Sequence, residues 1–376
     1  MQPKAERNIP IEALRLVAVA GIAVFHTFQW TFQAVSIGVP EYAPLAAFPY
    51  SGLLGFINLL GCWANEVFFM ISGYFLIASA ARAWDGGATW KSQMQRTAQR
   101  LGKVVMPTAF YCLVALAWST VVSPIPDVTL NTHYWYTLGL EFIWVYAATV
   151  FMAPWFGLAK SRLSQKSYTA TVIAVGIFAF VVNGYLAAMS ATSGGEFSWL
   201  QKLMSAVTYA IAFLIGGLLR DVTDAMDSDR VGALGTRSLV TVLVLTIILE
   251  GALSFTGNLT AMAVLSYKST SLISFALAAV SLLFAATRRS ASGNPRTAGT
   301  IVALSTATLG FYVMQSLTSS LWRPVFNTLL ANILVSQNSP GAICIITGAV
   351  ISIVFALALL NIDAVRSLIA RQLERQ

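Results

Sequence analysis

The sequence predicts an all-α integral membrane protein, a bundle of about ten transmembrane helices with both termini in the cytoplasm. Three observations predict it. Of 376 residues, 57% are apolar and only 10% are charged, whereas an ordinary soluble domain has about 25% charged residues. Mean hydropathy is +0.72, which leaves too little polar surface to cover a water-soluble globule of this size. The Lys and Arg residues also cluster between apolar stretches, on alternate sides of them. The same composition excludes a disordered chain. Three cysteines in 376 residues exclude a secreted disulfide scaffold.

A span needs about 20 mostly apolar residues to cross about 30 Å of hydrocarbon. Ten stretches qualify, at roughly 11–33, 53–80, 103–123, 134–158, 168–189, 199–219, 238–257, 261–287, 300–322 and 341–362. None alternates with a period of two, so a β-barrel is not indicated. The first carries Arg15 and His26 and has no small-residue cleavage site, so it reads as a span and not as a signal peptide. The second contains Gly52, Gly55, Gly61 and Gly73 and is long. It predicts a short interfacial helix before a span that begins near Cys62. The polar loop at 82–102 follows, and from Trp90 it reads as a basic amphipathic helix along the inner membrane face. Cys62, Cys112 and Cys344 lie in or beside spans without metal-ligand spacing and read as small buried hydrophobes. The spans fill residues 1–376 as one membrane-embedded domain, and no separate soluble domain is expected.

Nineteen of the 23 basic residues fall on one set of ends, from Lys4 and Arg7 to Arg366, Arg371 and Arg375. Lys202, Lys268 and Arg323 lie at or near the other set, and Arg15 is inside the first span. By the positive-inside rule the crowded side is cytoplasmic. The +8 charge therefore reports topology and does not argue for a nucleic-acid partner.

Ionisable residues inside lipid are costly and usually face a cavity or a partner. Arg15 and His26 are eleven residues apart, which returns them to within about 20° of one helix face with a rise of about 16 Å. Together they describe one wall of a polar passage. The structural alternative is Arg15 bonded to Glu12 at i−3 and His26 bonded to a backbone carbonyl. By depth, Glu66, Glu141, Glu250 and Gln315 join His26 in the outer half, with His133, Trp135 and Tyr136 at the outer mouth. Arg15, Arg96, Arg100 and Lys103 lie on the inner side. The inner set suits a polyanionic ligand, and the outer set suits an imidazole acting as base on a hydroxyl. These residues alone also fit a proton relay in a transporter or flippase of a glycan, lipid or small acid. A structural partner in an envelope-assembly complex remains a third class.

Four segments resemble the bacterial integral membrane acyltransferase family 3. They are IEALRLVAVAGIAVFH (Ile11 to His26), NEVFFMISGYFLI (Asn65 to Ile77), RTAQRLGKVVMPTAFY (Arg96 to Tyr111) and HYWYTLGLEFIWVYAATVFMAPW (His133 to Trp155). They cover roughly the first 160 residues in order. One departure is Gln315 in LGFYVMQSL (Leu309 to Leu317), where the family often has a His. Larger members carry an extracellular hydrolase-like domain after the last span, and none is expected here.

The resemblance implies transfer of an acyl group, commonly acetyl, from cytoplasmic acyl-coenzyme A to a hydroxyl of a glycan or lipid-linked envelope acceptor. The implied setting is the bacterial plasma (inner) membrane, with membrane lipids as neighbours and with neither a bound cofactor nor a metal. It implies donor binding by Arg15, Arg96, Arg100 and Lys103. His26 would act as base, with Glu66 or Glu141 orienting its imidazole. Trp135, Tyr136 and Gln315 would lie on the acceptor side.

Overall fold

The computed structural model describes residues 7–126, 128–129, 140–192, 198–266, 271–288, 294–336 and 340–373. Its helices are α1 (Ile9–Ser36), α2 (Tyr50–Asp85), α3 (Trp90–Val121), α4 (Glu141–Arg162), α5 (Gln165–Thr192), α6 (Ser198–Ala225) and α7 (Ser228–Phe255). They continue as α8 (Leu259–Leu265), α9 (Leu272–Thr287), α10 (Pro295–Thr306), α11 (Thr308–Leu317), α12 (Ser319–Ser336) and α13 (Pro340–Leu373). A 3-10 turn, Pro40–Leu45, joins α1 to α2. No strand occurs among the described residues.

Local chemistry sets many of the helix starts. Asn8 Oδ1 accepts from the Ile11 amide at 3.2 Å, just ahead of Pro10, and opens α1. Thr89 does the same for α3 through the Ser92 amide at 3.3 Å. Ser271 opens α9 through the Ser274 amide at 3.1 Å. Asn294 and Pro295 open α10.

Among the described residues eight helices, α1 to α7 and α13, are long and apolar enough to cross a membrane. The pair α10 and α11 makes a ninth crossing if taken together, bent by 44°. At the bend, the hydroxyls of Thr306 and Thr308 bond back to the carbonyls of Ala303 and Ser305, a pattern that diverts the helical ladder. The eighth predicted stretch divides into α8 and α9, and α9 has only 16 residues, about 24 Å at 1.5 Å per residue. Two other expectations change. The second stretch forms one continuous helix of 36 residues, α2, with no separate interfacial piece. The basic segment from Trp90 is the first part of α3 and runs straight into the span, with Pro107 inside the helix.

The core is built around α2, which packs against α1, α4, α6, α7 and α9. Lipid supplies no hydrophobic drive between helices, so close approach of small residues matters more. Gly73 lies against the Phe213 carbonyl of α6, and Gly216 of α6 lies against the Met70 carbonyl of α2. Gly157 of α4 abuts Ala80. Phe69 stacks on Tyr209 at 4.8 Å between ring centroids and meets Phe142 and Tyr146 edge-on. These contacts seat α4 and α6 side by side on α2, where Phe142 and Tyr209 also meet each other at 6.0 Å. On the α1 side, Gly21 faces Leu60 and Trp63, and the Phe25 ring covers Gly61. Early α1 (Ile11, Ala18) shares its cluster with late α2 (Tyr74, Ile77), and late α1 (Phe28, Phe32) shares one with early α2 (Leu54, Ile57), so α1 and α2 run antiparallel.

Candidate active site

Arg15 and His26 lie on one face of α1, as their spacing requires. A cavity of about 560 Å³ follows that face. Arg7, Arg15 and Lys103 line one part of it, and it extends past Val19 to Ile22. Ile22 is one helical turn short of His26. The far wall carries the hydroxyls of Ser72, Tyr146 and Tyr312, with Phe68, Phe142 and Phe311 between them. Ser72 and Tyr146 hydrogen bond to each other at 2.9 Å, which joins α2 to α4 beside the cavity. Arg15 also pairs with Glu12 at 3.0 Å. The local i−3 bond and the cavity-lining position hold together, because a guanidinium has donors for both.

Other predicted donor residues separate. Lys103 is in the cavity wall. Arg100 instead reaches Ser79 Oγ at 3.4 Å and is not among the lining residues; nor is Arg96. The site adds Arg7, Ser72, Tyr146 and Tyr312. In the sequence Arg7 fits the positive-inside pattern and Ser72 the close packing of small residues, while Tyr146 and Tyr312 stand among other aromatic residues that hide them.

His26 meets a residue that the sequence did not connect to it. Arg323 Nη2 lies 3.2 Å from His26 Nδ1. Arg323 is near the start of α12, and its neighbour Trp322 donates through Nε1 to the Gln315 carbonyl at 3.0 Å. That bond and the Trp322–Phe355 ring contact at 5.5 Å hold the arginine over α1. Tyr312 lies within electrostatic reach of both Arg323 and Glu141.

The carboxylates take different places. Glu66 is fully buried, and among the described residues neither of its oxygens makes a hydrogen bond of normal geometry. It sits beside Ser274 of α9, whose hydroxyl donates to the Ser271 carbonyl at 3.0 Å. Glu66 is five residues along α2 from Gly61, the glycine under Phe25, so it is about 8 Å nearer the Arg15 end. It faces α9 through Ser274. Glu141 is exposed at the first turn of α4, where the helix dipole favours an acid. Glu250 is buried against Gly55, away from the cavity. Gln315 is 2% exposed, and its Nε2 has no hydrogen-bond partner among the described residues. His133, Trp135 and Tyr136 lie outside the described residues.

A second, lateral groove of about 1420 Å³ runs between α3, α11 and α13. It is mostly apolar along Met106, Phe110, Val114 and Trp118, and it shares Lys103, Thr306 and Leu309 with the cavity.

A family model described as an acyltransferase domain matches residues 8–359. No curated protein and no solved structure matches the chain. The match starts at the cap of α1 and ends within α13, so it takes in every helix that lines the cavity. On that evidence the chain belongs to acyltransferase family 3, as a multi-pass membrane acyltransferase.

Proposed function

We propose that the protein moves an acyl group, acetyl foremost, from cytoplasmic acyl-coenzyme A to a hydroxyl of a glycan or lipid-linked acceptor in the bacterial cell envelope. In this reading both termini are cytoplasmic and the membrane is the plasma (inner) membrane. One observation carries it. The cavity has three cations at one part, Arg7, Arg15 and Lys103, and rises along α1 to within a turn of His26. Coenzyme A has a polyanionic nucleotide and a slender pantetheine arm, so its two parts fit the two regions of such a cavity. Arg96 and Arg100, on the basic first part of α3, add positive potential at the same mouth and attract the donor without lining the cavity.

His26 acts as the base. It takes the proton of the acceptor hydroxyl, the oxygen forms a bond to the thioester carbon, and the carbon–sulfur bond breaks. The proton then passes from His26 to the coenzyme A thiolate, so donor and acceptor end balanced as free thiol and ester. Tyr312 and Gln315 are donors on the acceptor side. Glu141 influences the site through Tyr312, and Glu66 acts through packing between α2 and α9. The lateral groove supports a lipid-linked acceptor, because it runs along α3 and α13 and reaches Leu321 at the start of α12, two residues from Arg323.

The test is reconstitution in lipid nanodiscs with acetyl-coenzyme A. Release of free thiol with a matching acetyl mass gain on envelope glycan or glycolipid supports the reading. Movement of such a glycan across vesicle membranes with no acyl donor, and no thiol release, would favour a transporter.

A further inference from the structure

Arg323 is a cation at a costly place. Among the described residues its buried Nε has no hydrogen-bond partner, and no carboxylate pairs with it. A guanidinium with a buried nitrogen and no counter-ion is unfavourable unless a ligand supplies one. Its contact with His26 has a second consequence. Arginine stays charged and only donates, so His26 Nδ1 must be the acceptor at 3.2 Å. An imidazolium has no acceptor nitrogen. His26 is therefore neutral in this state, with its lone pair on Nδ1 and its proton on Nε2. The lone pair that a base needs is covered by Arg323.

Arg323 reaches His26 from the end of α1 away from Arg15. That cavity approaches His26 from Arg15 and Ile22. Beyond Arg323, α12 packs through Leu330 and Leu334 on Tyr42 and Leu45 of the turn after α1, at the far end of α1 from Arg15. Resting on the acyl-transfer reading above, we infer that Arg323 is an anion subsite for the acceptor. A carboxylate or phosphate on the acceptor pairs with the guanidinium, draws it from Nδ1 and uncovers the base. The lone pair becomes available only when a suitable acceptor is present, and bound thioester is spared from reaction with water.

The test reads His26 directly. Diethyl pyrocarbonate carbethoxylates an imidazole nitrogen that has an available lone pair, and peptide mass spectrometry reports the rate at His26 in the full-length protein in detergent. Arg323→Met removes the donor at similar length, and Arg323→Lys keeps a cation. The expected result is a rate at least about tenfold higher in Arg323→Met than in wild type, the loss of one charge-assisted hydrogen bond, with Arg323→Lys staying near wild type. In wild type, glucuronate or glucose 6-phosphate raises the rate and glucose does not. Whichever anion acts identifies a carboxylate or a phosphate.

Equal rates in wild type and Arg323→Met overturn the capping. Equal acceleration in the Met and Lys variants assigns the effect to space alone and also overturns it. If Arg323→Met unmasks His26 but neither anion does, the anion subsite falls. If Arg323→Met does not fold, the anion titration on wild type decides alone. Failure of the acyl-transfer reading would show separately, as wild-type protein that releases no coenzyme A.

Discussion

The Tyr111 hydroxyl donates to Asp363 Oδ1 at 2.6 Å and ties α3 to α13. Arg366 Nε donates to the same oxygen at 2.6 Å, and Asp363 is 1% exposed. Gly310 of α11 packs against this carboxylate, so three helices meet at one acid. Tyr312, two residues on, takes its position in the cavity wall from that junction. Tyr111→Phe is expected to lower stability by about 1–2 kcal/mol, because the acid loses one of two donors. Asp363→Ala should cost more, about 3–5 kcal/mol, since it leaves Arg366 without its partner. Thermal unfolding in detergent measures both, and equal melting temperatures for all three proteins would refute the junction.

Gly73→Ala is expected to destabilise the fold severely. A Cβ there would run into the Phe213 backbone carbonyl, which cannot swing aside like a side chain. Gly251 of α7 has nothing within 4 Å of such a Cβ, so Gly251→Ala should be neutral or slightly stabilising through helix propensity. The pair is read by yield of folded protein on size-exclusion chromatography. A Gly73→Ala protein as stable as wild type would mean that α2 and α6 are further apart than described.

His26→Ala should abolish acyl transfer while the protein inserts and elutes as wild type. Removal of a general base commonly costs about 10²–10⁴-fold in rate. Full coenzyme A release and acceptor modification in this variant would end the proposed mechanism.

Arg15→Ala and Lys103→Ala should each raise KM for acetyl-coenzyme A by about tenfold or more, the loss of one charge-assisted contact to a phosphate. Both line the cavity. Arg96→Ala, outside the lining, should change KM less and lose most of its effect at high salt, because it acts at longer range. Identical KM values across the three variants would remove the cavity from the donor's path.

Glu66→Gln should keep most of the activity. The side chain is fully buried beside α9, and an amide of the same shape carries no charge to desolvate. Loss of activity with an unchanged melting temperature would return Glu66 to the chemistry.

Much of this protein was legible along the chain. Apolar runs of span length and the one-sided basic clusters gave the membrane bundle. The eleven-residue step from Arg15 to His26 gave their common face, because 3.6 residues per turn and 1.5 Å per residue are local properties of any α-helix. Breaks were harder to see. The bend between α10 and α11 and the division at α8 and α9 sit inside continuous apolar sequence, where hydropathy has no contrast.

What the tertiary structure alone decided is which helix faces which. A soluble helix announces its buried side with an apolar stripe, but a helix in lipid is apolar all round. Depth can then be read from sequence, and azimuth cannot. Glu66 and His26 share a half of the membrane by count, yet Glu66 turns to Ser274 of α9. Arg323, 297 positions from His26, comes to rest on its Nδ1. The sequence by itself determined the family and the all-α membrane class, and it put Arg15 and His26 on one face of α1. Packing of small residues and aromatic rings, invisible to periodicity, brought Arg323 to His26.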